Sequence, residues 1–148
     1  MDNNFEISII IPVYNVEKYI KKCLDSVLNQ SNSKIQIIII NDGSTDNSHE
    51  IIEKYLEKHK NIIYIQQKNQ GAAVARNTGL KYVKGEYVMF LDSDDYLERN
   101  SLHNLYKYIK NMNSEIIVFG YRKIWEEGSQ ILFDKLNDKF EENKIYNG

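Results

Sequence analysis

The stretch MFLDSDDYL, Met89 to Leu97, sets an apolar run directly against three carboxylates. Met89, Phe90 and Leu91 have the composition of the end of a buried strand. Asp92, Asp94 and Asp95 then crowd four positions. Carboxylates this close repel one another and raise each other's pKa unless a cation sits among them. A buried strand that ends in such a cluster suggests a sheet whose edge carries a site.

The rest of the chain supplies the sheet. ISIIIPV (Ile7 to Val13) and IQIIII (Ile35 to Ile40) are continuous apolar runs, as suits strands buried on both faces. IIYI (Ile62 to Ile65) and YVMFL (Tyr87 to Leu91) predict two more strands, and EIIVFGY (Glu115 to Tyr121) a fifth. Helical spacing fills the intervals: Val16, Tyr19, Ile20, Cys23, Leu24, Val27 and Leu28; then Ile51, Ile52, Tyr55 and Leu56; then GAAVARNTGLKYV; then Leu102, Leu105, Tyr106 and Ile109. Asp42-Gly43 would suit a hairpin, but the helical period after it argues against one, with Thr45 or Asp46 available as a cap. Strands alternating with helices predict an α/β fold: a Rossmann-like, mostly parallel sheet with helices on both faces. Residues 7–121 form the well-patterned core of a single domain spanning 1–148. KIWEEGSQILF offers a hairpin turning at Glu127-Gly128, and the weakly patterned tail, 122–148, is expected to fray.

Composition narrows the classes. Of the 148 residues, 42% are hydrophobic and 27% charged, enough for a packed core and a hydrated surface. A formal charge of -2 shows no basic surplus, which argues against nucleic acid and against an acidic membrane as partner. The single cysteine, Cys23, cannot form an internal disulfide. The N-terminal run lacks the basic residues of a secretory signal, and the apolar runs are short of a membrane span. A cytoplasmic protein is the expectation.

In an open parallel sheet, ligands bind beyond the carboxyl ends of the strands, near a topological switch point. Those ends read PVYN (Pro12, Val13, Tyr14, Asn15), NDGS (Asn41, Asp42, Gly43, Ser44), QKNQG (with Asn69 and Gly71) and DSDD (Asp92, Ser93, Asp94, Asp95). Asp92 and Asp94, at i and i+2, can converge from a turn on one hard cation, Mg²⁺ or Mn²⁺. Two carboxylates rarely complete a cage, so water and a diphosphate would supply the rest; the other reading is a solvated acidic loop. Asp42 can accept the N3–H of a uracil, or serve as an N-cap or Asx turn. Tyr14 can lay its ring on the base, or be an ordinary loop aromatic. Gly43 and Gly71 permit positive φ or close backbone approach, in a site or in a plain turn. Arg76, one turn into the third helix, can pair with phosphate over the helix end, or simply face solvent; Lys68 is a weaker candidate. His49, His59 and His103 are read as surface residues outside this rim, and Trp125 and Cys23 as packing residues. An EF-hand fits poorly, because Leu97 and His103 stand where its loop needs Gly and Glu. No P-loop and no G-x-G-x-x-G fingerprint occurs.

Four segments in order, IIIPVYNVEKYIKKCLDSVLNQ, IIINDGSTDNS, NQGAAVARNTGL and GEYVMFLDSDD, resemble the successive motifs of family 2 glycosyltransferases with the GT-A fold. The resemblance runs from Ile7 to Leu97 and more loosely to Tyr121. It implies a nucleotide-sugar donor, most often a UDP-sugar, and transfer with inversion to a glycan or lipid-linked acceptor. By that resemblance Pro12, Val13 and Tyr14 line the nucleoside site and Asp42 reads the base. Arg76 lies near the nucleotide and diphosphate, and Asp92 contacts the ribose. Asp94 is the metal-binding aspartate of a DXD motif, with Asp92 beside it, and Asp95 supports it or faces the acceptor. No catalytic residue is identified: the general base, an Asp or Glu near an acceptor-binding helix, is expected beyond Gly148, and Glu126-Glu127 and Glu141-Glu142 are poor substitutes. The expectation is the donor-binding half of a longer enzyme, reaching the cytoplasmic membrane face only through segments outside these residues. A non-catalytic nucleotide-sugar-binding module is the alternative. A phosphotransfer domain fits less well, since its key aspartates follow the first or a middle strand.

Overall fold

Two seven-residue strands, buried along their whole length, set the frame: β1 (Ile7–Val13) and β2 (Ile35–Asn41). They pair in parallel from Ile7 opposite Ile35 to Val13 opposite Asn41. β3 (Ile62–Gln66) joins the far side of β2, and β4 (Tyr87–Phe90) the free side of β1, both parallel. This computed structural model describes residues 5–30, 34–112, 115–117, 122–123 and 132–133. Four helices connect or follow the strands: α1 (Ile20–Leu28), α2 (Ser48–Leu56), α3 (Ala72–Leu80) and α4 (Ser101–Met112).

The strand order β3-β2-β1-β4 contains a reversal. The chain steps outward from β1 through β2 to β3, then returns to the other side of β1. The crevice beyond the carboxyl ends of β1 and its neighbours is therefore a switch point, where loops diverge and leave room for a ligand.

Side-chain alternation assigns the faces. Ile9, Ile11, Val13, Ile37 and Ile39 pack with Ile20, Cys23, Leu24 and Val27 of α1, Ile52 of α2 and Leu102 of α4. Ile10, Ile38 and Ile40 face the other way, onto Ala75 of α3. Helices thus cover both faces of β1 and β2, which is why those strands read as Ile-rich runs, whereas Val88 and Phe90 of β4, expected in a buried strand, are exposed. Each fully buried Ile contributes about 1.5–3 kcal/mol. α3 lies very close to the sheet: a Cβ on Gly79 would come within 2.5 Å of Ile10 Cγ2. At the opposite end of the strands, two buried polar residues fix the α3–β4 turn. Ser8 Oγ donates to Gln36 Oε1, Gln36 Nε2 donates to Tyr82 O at 3.0 Å, and the amides of Lys84 and Gly85 donate back at 2.9 and 2.8 Å. This network sets where β4 starts, and so where its aspartates end up.

Two expectations need correction. Residues 115–117 of the expected fifth strand are not strand, and Ile116 is 80% exposed; residues 118–121 lie outside the described residues. An apolar run states that burial is sought, not that a sheet partner is present. The N-cap position of α2 is Asn47, without a side-chain cap bond. Asp46, one residue earlier, accepts the Ser48 N–H at 3.0 Å, whereas Thr45 donates to Asn15. The three histidines, read as surface residues, are all partly exposed. The expected hairpin is seen at its two sides: β5 (Arg122–Lys123) pairs antiparallel with β6 (Leu132–Phe133), in a register symmetric about Glu127 and Gly128. Its turn, Trp125 and most of the tail lie outside the described residues.

Candidate donor-binding cleft

The four strand ends meet at one cleft of about 360 Å³. Its wall is made by Pro12, Val13, Tyr14, Asp42, Asn69, Gly71, Ala72, Arg76, Asp92, Ser93 and Asp94. Ten of the residues singled out from sequence line it, and Ala72 is added. Asn15, Gly43 and Ser44 do not; they hold the wall from behind. A second hollow of similar size, lined by Ser26, Asn29, Gln30, Leu97 and Arg99, contains no carboxylate and none of the expected residues.

One side of the cleft is built by the loops after β1 and β2, which are fastened to each other. The amides of Asn15, Val16 and Glu17 donate to Ser44 Oγ, Ser48 Oγ and Asp46 Oδ2 at 3.1, 3.0 and 2.9 Å. In return, Thr45 N donates to Asn15 Oδ1 at 2.7 Å and Asn47 N to Glu17 Oε2 at 3.0 Å. Asn15 holds a left-handed φ of 51°, which asparagine tolerates better than most residues. Behind this pair, Asn41 accepts the Ser44 N–H and donates to the Tyr64 hydroxyl at 2.8 Å. The Tyr64 hydroxyl is 2.9 Å from His49 Nδ1, and the two rings stack with centroids 5.7 Å apart. His49 is thus part of the support, a role its sequence context did not signal. Tyr14 presents its ring to the cleft, 48% exposed.

Asp42 is 3% exposed. Its carboxylate accepts Gln67 Nε2–H at 2.7 Å, Gln70 N–H at 3.0 Å and Gly71 N–H at 2.7 Å. Sequence reasoning passed over Gln67 and Gln70 as partners of this group, because nothing in the spacing says that the two segments meet.

The other side is more open. Arg76 Nη2 donates to Asp92 Oδ1, with the two side chains 33% and 51% exposed. Ser93 is buried, while Asp92 and Asp94 stand out from the wall on either side of it. Asp95 does not reach the cleft wall; burial, then the charges of Asp94 and Asp92, push its carboxyl above the ordinary range. Cys23 lies under this loop with its thiol 3.8 Å from Asp92 O, and burial followed by the three aspartate charges pushes it up to about 12. It is a packing residue, not a nucleophile. The loop beyond is tied to α1 by Leu97 N–H on Ser26 Oγ at 3.0 Å and by Lys22 3.6 Å above the Tyr96 ring.

Asp92 and Asp94 offer oxygen donors only, which suits a hard divalent cation. Among the described residues no group of three or more His, Cys, Asp or Glu converges on one point. The pair therefore fits a cation whose remaining ligands are water and phosphate oxygens, and does not fit a closed protein cage.

Residues 8–147 match the family model described as Glycosyl transferase family 2. The chain belongs to that family. Among curated members it is 44% identical, over 95% of its own length and 20% of the relative's, to Glycosyltransferase GlyA of Streptococcus pneumoniae serotype 4. Among solved structures it resembles S. aureus TarS (residues 1–349) in complex with UDP-GlcNAc, with a TM-score of 0.70 and 37% identity, covering 74% of this chain and 32% of that one. The mannosyltransferase PcManGT of Pyrobaculum calidifontis, solved with GDP-Man and Mn2+, follows with a TM-score of 0.66 and 26% identity, over 72% of this chain and 32% of that one. This family 2 chain thus spans a fifth of the length of GlyA and a third of TarS 1–349. Among the described residues no helix is long and apolar enough to cross a membrane.

Proposed function

We propose that this chain binds the donor in a sugar transfer from a nucleotide-sugar, a UDP-sugar foremost, to an acceptor hydroxyl of a glycan or lipid-linked glycan, with inversion. The observation that carries the reading is the convergence of all four strand ends on one cleft, with Pro12, Val13, Tyr14 and the buried Asp42 at one side and Arg76, Asp92 and Asp94 at the other. The TarS complex supports UDP as the nucleotide, and the PcManGT complex supports a divalent ion.

In this reading the base and ribose lie against Pro12, Val13 and Tyr14, beside Asp42. The diphosphate lies over the start of α3. The first amides of a helix have no intrahelical partner; Asp42 takes the N–H of the N-cap Gly71, and the amides that follow it favour an anion. Arg76, one turn further, pairs with a phosphate oxygen in place of Asp92. Asp94, with Asp92, would hold Mg²⁺ or Mn²⁺, which when bound offsets negative charge on the departing diphosphate. Arg76 acts in the same sense, and more strongly as charge grows on the leaving oxygen. The attacking hydroxyl needs a base on the opposite face of the sugar. Among the described residues the cleft carboxylates are Asp42, Asp92 and Asp94, one already bound to three N–H groups and two committed to the cation. None is free to be that base, which favours assigning donor binding rather than turnover to these residues.

A thermal-shift panel with UDP-, GDP- and dTDP-sugars in Mn²⁺ tests the reading. UDP-sugars are expected to raise the melting temperature most. No shift with any of them would remove the donor-binding assignment.

A further inference from the structure

We infer that Asp42 positions the amino end of α3 for phosphate, so that one buried carboxylate ties the base and diphosphate subsites into a single unit. This rests on the donor-site reading above and goes beyond base recognition. Of the roughly four lone-pair directions a carboxylate offers, most are already used. Oδ1 takes Gln67 Nε2–H and the Gln70 amide, and Oδ2 takes the Gly71 amide and shares that of Gln70 at 3.2 Å. All three partners belong to the loop that leads into α3. No salt bridge reaches Asp42 among the described residues, so these N–H groups are what compensates its burial.

The loop is held at both ends. Gln67 N–H continues the β2–β3 ladder to Asn41 O at 2.9 Å, and Asp42 fixes the exit at Gly71. Gly71, at φ 87°, then turns the chain into the helix, whose first bond runs from Ala75 N to Gly71 O at 3.1 Å. Gly43 lets the two segments touch: a Cβ there would come within 2.9 Å of Asn69 N. The amides that would meet phosphate are therefore aimed by a carboxylate that does not itself touch phosphate. Asp42→Asn places an amide N–H₂ or a single oxygen against three donors and cannot keep all the bonds.

Binding of inorganic pyrophosphate in Mn²⁺, of uridine, and of UDP is measured for the wild-type chain, Asp42→Asn and Gln67→Leu. Gln67 is absent from the cleft wall, so its variant loosens the loop without removing a ligand contact. Asp42→Asn is expected to weaken pyrophosphate about tenfold or more, as loss of a charge-assisted hydrogen bond implies. Gln67→Leu is expected to weaken pyrophosphate about threefold and uridine less. Amide exchange at Gln70 and Gly71 should accelerate while Ile38 to Ile40 stay protected, which a general loss of stability would not produce. If pyrophosphate binding is unchanged in the variants while wild type binds it, the inference falls and the donor-site reading stands. If wild type binds neither UDP nor pyrophosphate, both fall. Should Asp42→Asn fail to fold, Gln67→Leu decides alone.

Discussion

The two sides of the cleft are built on opposite plans. On the side of β1 and β2, backbone amides from one loop are matched with side-chain oxygens of the other, in both directions, over Asn15 to Glu17 and Ser44 to Ser48. On the side of α3 and β4, Asp92 and Asp94 stand in solvent and a partly exposed ion pair joins Arg76 to Asp92. The first side is complete without a ligand, so a nucleoside meets a wall already in shape and little ordering cost is left. The second keeps its charges where they can exchange partners, since an exposed ion pair is worth little and is given up easily. A site that must grip one part of a molecule and release another has use for both.

This contrast can be broken by mutation. Of the two substitutions that compare the sides, the larger effect on folding is expected from Asp46→Ala, which strips acceptors from the Glu17 and Ser48 amides and should cost about 2 kcal/mol in urea unfolding. For Asp46, burial acts to raise the pKa but the bonds to Ser48 and Glu17 outweigh it, so the folded value lies below 3.8. A depressed carboxylate stabilises above its unfolded pKa and loses that contribution as pH falls through the folded one. The gap between wild type and Asp46→Ala should therefore be full at neutral pH and narrow as pH drops below 3.8. A gap that persists unchanged in acid would mean that the charge is not what joins the loops. The smaller effect is expected from Asp92→Asn, which should shift unfolding by less than about 1 kcal/mol, because its partner stays hydrated. A cost equal to that of Asp46→Ala would erase the distinction between the two sides.

Much of the fold was legible because a parallel sheet covered on both faces writes itself as unbroken runs such as Ile7–Val13 and Ile35–Ile40, and the helices between them as periodic ones. The cleft was legible for a related reason: the residues just past parallel strands emerge at one edge of the sheet, so Tyr14, Asp42 and Asp94 could be placed on one rim. What escaped was pairing between segments far apart in the chain. Asn15 and Ser44 also bind each other's loops, and nothing in their local sequence encodes a partner 29 residues away. His49 reads as a surface residue, and its contact with the Tyr64 hydroxyl, to which Asn41 also donates, is not encoded locally either. Ile116 and Ile117 looked like strand because hydrophobicity reports a demand for burial and leaves the partner unnamed.

The central claim is that the strand ends bring aspartates to a divalent ion that in turn holds a nucleotide's diphosphate. Titration of UDP into the wild-type chain and into Asp94→Ala, each with Mn²⁺ and with EDTA, tests it most directly. Wild type is expected to bind UDP at least about tenfold more tightly with Mn²⁺, a difference of ~1.4 kcal/mol, and Asp94→Ala to show no such difference. Equal affinity in Mn²⁺ and EDTA, unchanged by the substitution, would contradict it.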